Sequence, residues 1–119
     1  MITDEKSFRK KLKKELVRRG LYIFKAERMA TGFPDELVSY PGYGNFIFEL
    51  KATSSVDVKV HTRLFEPMQL HWLDKLYNAY GLVWVIGSGL IVYEVKSYRL
   101  EIQAEFQTVD ELISWMAMG

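Results

Sequence analysis

The residues of this chain best suited to chemistry lie in two short segments, Pro34-Asp35 and Glu49-Leu50-Lys51. The second belongs to FIFELKA (46–52), which reads as a strand. Alternation places Phe46, Phe48 and Leu50 on one face, and Ile47, Glu49 and Lys51 on the other. A carboxylate and an ammonium two residues apart in an otherwise hydrophobic strand are poorly explained by packing, and their bland reading is a buried or edge ion pair. Asp35 opens the preceding strand, and a short hairpin brings it near Glu49 across the ladder. Two carboxylates side by side repel and favour a cation between them. Hard oxygen donors suit Mg2+ or Mn2+. Such an ion keeps several waters and can acidify one of them. Lys51, on the face of Glu49, can orient that water or neutralise charge developing on a phosphate. Glu15, on the inner side of the first helix, is a candidate for a further carboxylate. Together these groups suit hydrolysis of a phosphodiester by water, with no covalent nucleophile.

The elements that must position them follow from periodicity. Residues 5–19 read as a helix closed by Gly20. Advancing about 100° per residue from Phe8, Leu12, Glu15 and Leu16 share its inner side, while Lys6, Arg9, Lys10, Lys13, Lys14 and Arg18 fall outside. Strands are expected at Leu21–Arg28, Asp35–Tyr40 and Phe46–Ala52, forming an antiparallel meander broken by Ala30–Pro34 and by the turn Pro41–Asn45. Thr53–Phe65 reads as a loop. Pro67 opens a helix to about Tyr80, closed by Gly81. Leu82–Ile86 and Leu90–Val95 are strands joined by Gly87-Ser88-Gly89, and Leu100–Phe106 is a weaker one. Thr108 and Glu111 cap a last helix. The fold class is α/β, a mixed central sheet flanked by helices, and residues 1–119 read as a single domain.

Composition agrees with an ordinary globular chain, with 49% hydrophobic and 26% charged residues among 119. The absence of cysteine removes a disulfide framework, a cysteine-ligated zinc site and a thiol nucleophile, and suits a reducing cytoplasm. No apolar run approaches the roughly 20 residues that cross a bilayer, and the N-terminus lacks the apolar core of a signal peptide. Charge is segregated. Residues 1–20 hold eight Lys/Arg against three acidic residues, and the remainder eight against twelve. A basic end on an acidic body suits a polyanion partner or a solvated helix face. Lys10 and Lys14 on the outer face, Lys25 on the first strand, and Lys59, His61 and Arg63 in the long loop could track a phosphate backbone. His61 and His71 lack a third metal-type partner, which argues against zinc. Trp72, Trp84 and Trp115 fit apolar stripes and read as core rather than base-stacking platforms. Gly87-Ser88-Gly89 lacks the Lys-Ser/Thr of a phosphate loop.

Gly32-Phe33-Pro34-Asp35, then Phe46–Ala52 with its Glu-Leu-Lys, then Pro67-Met68-Gln69, resembles the PD-(D/E)XK nuclease superfamily. The pattern is most similar to the VRR-NUC type of small phage and bacterial endonuclease, and Glu49–Thr53 (ELKAT) also looks like the Holliday-junction resolvases. The resemblance spans about residues 8–90. It implies a restriction-endonuclease-like core in which Asp35, Glu49 and the Leu50 carbonyl hold Mg2+ or Mn2+. In the same resemblance Lys51 is the catalytic lysine, Gln69 approaches the site, and Glu15 is the first-helix carboxylate. The expected activity is a metal-dependent DNA endonuclease selective for flaps, forks or junctions, acting as a homodimer because a branched substrate presents paired strands. Two other readings remain open: a non-catalytic nucleic-acid-binding domain with a nuclease-like fold, and a toxin or restriction subunit.

Overall fold

Asp4 and Ser7 start the first helix. The Asp4 carboxylate accepts the Ser7 N–H at 2.8 Å, and the Ser7 hydroxyl accepts the Asp4 N–H at 3.1 Å, so two donors of the open first turn are satisfied reciprocally. Helix α1 runs Glu5–Arg18, and Gly20 follows in left-handed backbone at φ 83°. A computed structural model describes residues 2–26 and 29–118. Strands β1 (Tyr22–Lys25), β2 (Glu36–Tyr40), β3 (Gly44–Thr53), β4 (Ala79–Val85), β5 (Gly89–Lys96) and β6 (Arg99–Phe106) form one six-stranded sheet in sequence order. All neighbours are antiparallel except β3 and β4. A parallel pair needs a crossover, and this one carries α2 (Val58–Leu64) and α3 (Pro67–Lys75). Helix α4 (Val109–Met116) follows β6. Among the described residues the architecture is α/β, a mixed and mostly antiparallel sheet flanked by four helices. Among the described residues no helix is long and apolar enough to cross a membrane.

The sheet separates two apolar clusters. Phe8, Leu12 and Leu16 of α1 and Leu112 and Ile113 of α4 pack on Phe46, Phe48 and Leu50. On the opposite face Phe65 and Leu73 pack on Val83, Val85 and Tyr93, with Ile47 beside them. Full burial of a side chain such as Phe48 or Leu50 contributes roughly 1.5–3 kcal/mol. A slip of one residue would turn both to the wrong face. The even-numbered side of β3 thus fixes the register, and the odd-numbered Glu49 and Lys51 necessarily emerge on the α2/α3 face.

Three expectations need correction. The polar 53–65 segment is not all loop. Asp57 caps α2 by accepting the Lys59 N–H at 2.9 Å, and the helix is held by burial of His61 rather than by an apolar stripe. The helix from Pro67 stops at Lys75, because Leu76 is extended and Asn78 adopts φ 54°. Gly81 is not a cap but lies inside β4, where a Cβ would come within 2.6 Å of the Phe65 ring. The first strand ends at Lys25, and its expected terminus Arg28 lies outside the described residues.

Candidate active site

Strand β2 begins one residue after Asp35, with Glu36 paired to Phe48. Extending that register sets Asp35 opposite Glu49 at the open end of the hairpin. Asp35 Oδ2 accepts two hydrogen bonds, from the Leu50 N–H at 3.2 Å and from Arg9 Nη2 at 2.7 Å. Glu49 is 2% exposed. Its Oε2 accepts from Gln69 Nε2 at 3.2 Å and lies 3.6 Å from Lys51 Nζ. Its Oε1 is buried and has no hydrogen-bond donor among the described residues. Burial pushes the Glu49 carboxyl up, the Asp35 carboxylate within hydrogen-bonding reach pushes it further, and Lys51 offsets only part, leaving it at about 8. An ionised carboxylate only accepts. Beside another carboxylate, Glu49 can therefore be satisfied by a shared proton or by a shared cation.

The surrounding elements bring these groups together for identifiable reasons. Gln69 is the third residue of α3, and its Oε1 accepts the Glu66 N–H at 2.9 Å, which aims its Nε2 at Glu49. The 31–35 loop is clamped to the same helix. Trp72 Nε1 donates to the Thr31 carbonyl at 3.0 Å, and its ring lies 5.4 Å from that of Phe33. Gly32 has φ 73°, and a Cβ there would stand 2.4 Å from Met68 Cβ, so glycine is required both for the backbone and for the approach. Lys51 is only 17% exposed in its side chain, and its ammonium lies 5.8 Å from the Phe65 ring centroid, within range of a cation–π contact. Gly81 leaves the space that ring occupies.

A further oxygen comes from the backbone. Ile47 N–H donates to Asn78 and the Thr53 carbonyl accepts from Ile86, so odd-numbered residues of β3 bond toward β4. The Leu50 N–H and C=O therefore point to the β2 side, where the ladder has already ended. Two carboxylates and one carbonyl form a hard-oxygen set that leaves room for water, which fits Mg2+ or Mn2+. No group of three or more Asp, Glu, His or Cys side chains gathers for a metal among the described residues, so such a cation would depend on backbone and water oxygens as well.

Of the residues singled out from sequence, Asp35, Glu49, Leu50, Lys51 and Gln69 come together. Glu15 does not. It faces the opposite side of the sheet, where it accepts from Lys11 at 3.1 Å and Arg18 at 2.6 Å beside Trp84 and α4. Those hydrogen bonds from Arg18 and Lys11 hold its carboxyl below the usual range. The α1 carboxylate felt at Glu49 is Glu5, which contributes to the raising of Glu49 and of Arg9. Sequence reading also missed Arg9, which it placed with the outer lysines. At about 100° per residue Arg9 lies only about 20° from Leu16, and that arithmetic was the available signal. Its Nη2 meets Asp35 at 2.7 Å and its Nε meets Glu36 at 3.3 Å. Lys10 and Lys14 are exposed on α1, Arg63 and Lys59 on α2, and Lys25 at the end of β1 opposite Glu36. His61 is not a backbone-tracking residue. It is fully buried, with Nε2 against the Ser55 carbonyl and Nδ1 against the Tyr93 hydroxyl, both at 2.6 Å. Trp84 and Trp115 pack at the margin of the first cluster, whereas Trp72 serves as the clamp on the 31–35 loop.

Comparison with family models and with curated proteins finds no match to the chain.

The raised carboxyl has a measurable consequence. Because Glu49 titrates near 8 in the fold against 4.5 as a free side chain, the folded state binds its proton more tightly. That contribution is complete below the free value and is lost as pH rises through about 8. In EDTA the melting temperature should therefore fall between pH 5 and pH 8.5. A divalent cation held there would displace the proton, so a rise in melting temperature caused by Mn2+ should be larger at pH 8 than at pH 6. Equal Mn2+ shifts at both values would contradict the assignment of Glu49.

Proposed function

We propose that the protein is a metal-dependent endonuclease that hydrolyses phosphodiester bonds in DNA, with Mg2+ or Mn2+ held by Asp35, Glu49 and the Leu50 carbonyl. The observation that carries this reading is Glu49 Oε1, a buried carboxylate oxygen with no hydrogen-bond donor among the described residues, on a carboxyl group that neighbours the Asp35 carboxylate and whose other oxygen, Oε2, lies 3.6 Å from the Lys51 ammonium. A bound divalent cation would supply Lewis acidity toward phosphate oxygens and would acidify water. The chain's own residues do the remainder. Gln69 fixes the Glu49 carboxylate. Lys51 presents a positive charge from a position largely shielded from solvent, where it acts on phosphate more strongly than a surface lysine. The resemblance of the GxPD, ExK and PxQ segments to PD-(D/E)XK nucleases supports the same reading. The exposed Lys10, Lys14 and Arg63, with Lys25 at the sheet edge, are the candidate backbone contacts. Backbone contacts carry no base information, so the substrate is distinguished by shape, as a flap, fork or junction, and a second copy of the chain would match its paired strands.

One observation favours a second reading. Arg9 pairs with Asp35 and Glu36, and Lys51 pairs with the adjacent Glu49, neighbouring ion pairs that a non-catalytic DNA-binding domain could use for stability. A panel of labelled linear, flap, fork and four-way DNA, incubated with Mg2+ or Mn2+, separates the two. Nicking of a branched substrate that requires the cation supports the nuclease. Binding without cleavage under either cation supports the alternative.

A further inference from the structure

Arg9 is part of the acidic site, yet the hydrolysis outlined above assigns it no task. It comes from α1, on the face of the sheet opposite Lys51 and Gln69, and reaches around the open end of β2. One guanidinium nitrogen lies 2.7 Å from Asp35 Oδ2 and another 3.3 Å from Glu36 Oε1. Its side chain is 31% exposed, while those of Asp35 and Glu36 are 14% and 4% exposed, so the contacts are partly shielded from water and from salt. Burial acts against the Arg9 charge, but Asp35, Glu5 and Glu36 outweigh it, and the group is positive at every accessible pH.

The two charged groups that serve the acidic pair are therefore unlike. Lys51 lies against Glu49, whereas Arg9 lies against Asp35 and shares its Oδ2 with the Leu50 N–H. That oxygen already accepts two donors. A divalent cation arriving at Asp35 meets a carboxylate whose negative charge is largely spoken for, and a positive neighbour in a site of low local dielectric.

We infer that Arg9 is the built-in counter-ion of this site: it occupies Asp35 while the site holds no divalent cation, opposes the entry of one, and so sets the concentration at which the site fills. The inference rests on the proposed cation site and adds a control to it. In the cation-free protein Arg9 offsets two shielded carboxylates and stabilises the open end of the hairpin. When a divalent ion binds, that role passes to the ion, and the guanidinium must swing toward solvent or remain as a repulsive neighbour. In either case removing its charge strengthens binding of the ion and weakens the fold without it. Arg9 is in this sense a regulatory residue and not a ligand.

The test is calorimetric titration of Mn2+ into the full-length wild type, Arg9→Gln and Arg9→Lys at pH 8, with melting temperatures in EDTA and in Mn2+. Arg9→Gln should bind Mn2+ roughly tenfold more tightly, within the usual range of coupling between two sites. Its melting temperature should be lower than wild type in EDTA and should rise more on adding Mn2+. Arg9→Lys retains the charge and should stay close to the wild-type affinity, and it guards against a glutamine variant that fails to fold. Arg9→Gln binding Mn2+ equally or more weakly than wild type, or Arg9→Lys binding as tightly as a folded Arg9→Gln, would overturn the counter-ion role while leaving the cation site intact. If neither wild type nor Arg9→Gln binds Mn2+, the cation site itself is wrong, and the counter-ion role goes with it. Binding by Arg9→Gln alone would support the inference in its strongest form.

Discussion

Lys51→Ala is expected to reduce DNA cleavage by about 10²–10³-fold or more, the usual loss when a preorganised charge opposite a developing oxyanion is removed. The lysine stands 3.6 Å from Glu49 Oε2, over the Phe65 ring, with 17% of its side chain exposed. An ammonium held there is oriented before substrate arrives, so its removal should act on the chemical step rather than on binding. On the proposed function, affinity for branched DNA would rest mainly on exposed lysines and arginines elsewhere, so it should survive and keep a steep dependence on salt. Mn2+ binding should survive as well, but it must be compared above pH 8, because Lys51 is the group that pulls the Glu49 carboxyl down. Single-turnover cleavage and filter binding on the same substrate separate the two effects. Loss of binding in parallel with loss of cleavage would place Lys51 among the DNA contacts instead.

The second large effect runs in two directions. Glu49→Gln should abolish Mn2+ binding and cleavage while making the cation-free protein more stable at pH 8.5, by about 2 kcal/mol, because an ionised carboxylate is costly to bury when one of its oxygens, here Oε1, has no donor among the described residues. The amide suits the position. Its oxygen can still accept from Gln69 Nε2, and its NH2 can donate toward Asp35, as a protonated Glu49 would. At pH 5 the gain should nearly vanish, since the folded protein already holds Glu49 protonated there. Urea denaturation at the two pH values checks this. A variant less stable than wild type at pH 8.5 would show that Glu49 earns its burial through structural pairing rather than through function. A stability cost at a buried, incompletely satisfied acid is the signature expected when a residue is kept for what it binds.

Much of this site was readable from residue order, and the reasons differ from residue to residue. Glu49 and Lys51 stood out because period-two alternation puts charge on the inner face of an apolar strand, and the observed register follows from Phe46, Phe48 and Leu50 packing beneath. Asp35 could be placed because a short hairpin permits few registers. Glu15 was misjudged because its helical position gives a face but not a neighbour. It lies over the correct face of α1, and Lys11 and Arg18 one turn away satisfy it there. Arg9 was grouped with the outer lysines although its angle lies only about 20° from Leu16, and its long side chain reaches from that flank to Asp35 and Glu36. Helix α2 was invisible because its sequence, VKVHTRL, has no apolar period. It is held by two contacts distant in sequence, His61 to Tyr93 and Phe65 to Gly81. The end of α3 was misplaced because Leu76, Tyr77 and Tyr80 continue a helical spacing that the left-handed Asn78 interrupts.

The central claim is that Asp35 and Glu49 share one divalent cation, and a calorimetric titration of Mn2+ at pH 8.5 tests it with no assumption about the DNA substrate. Wild type should bind with a stoichiometry near one and release less than one proton per ion. Asp35→Asn and Glu49→Gln should each lose the binding while remaining folded, and Glu15→Gln should keep it. Absence of binding to wild type, or binding unchanged by both Asp35→Asn and Glu49→Gln, would contradict the account.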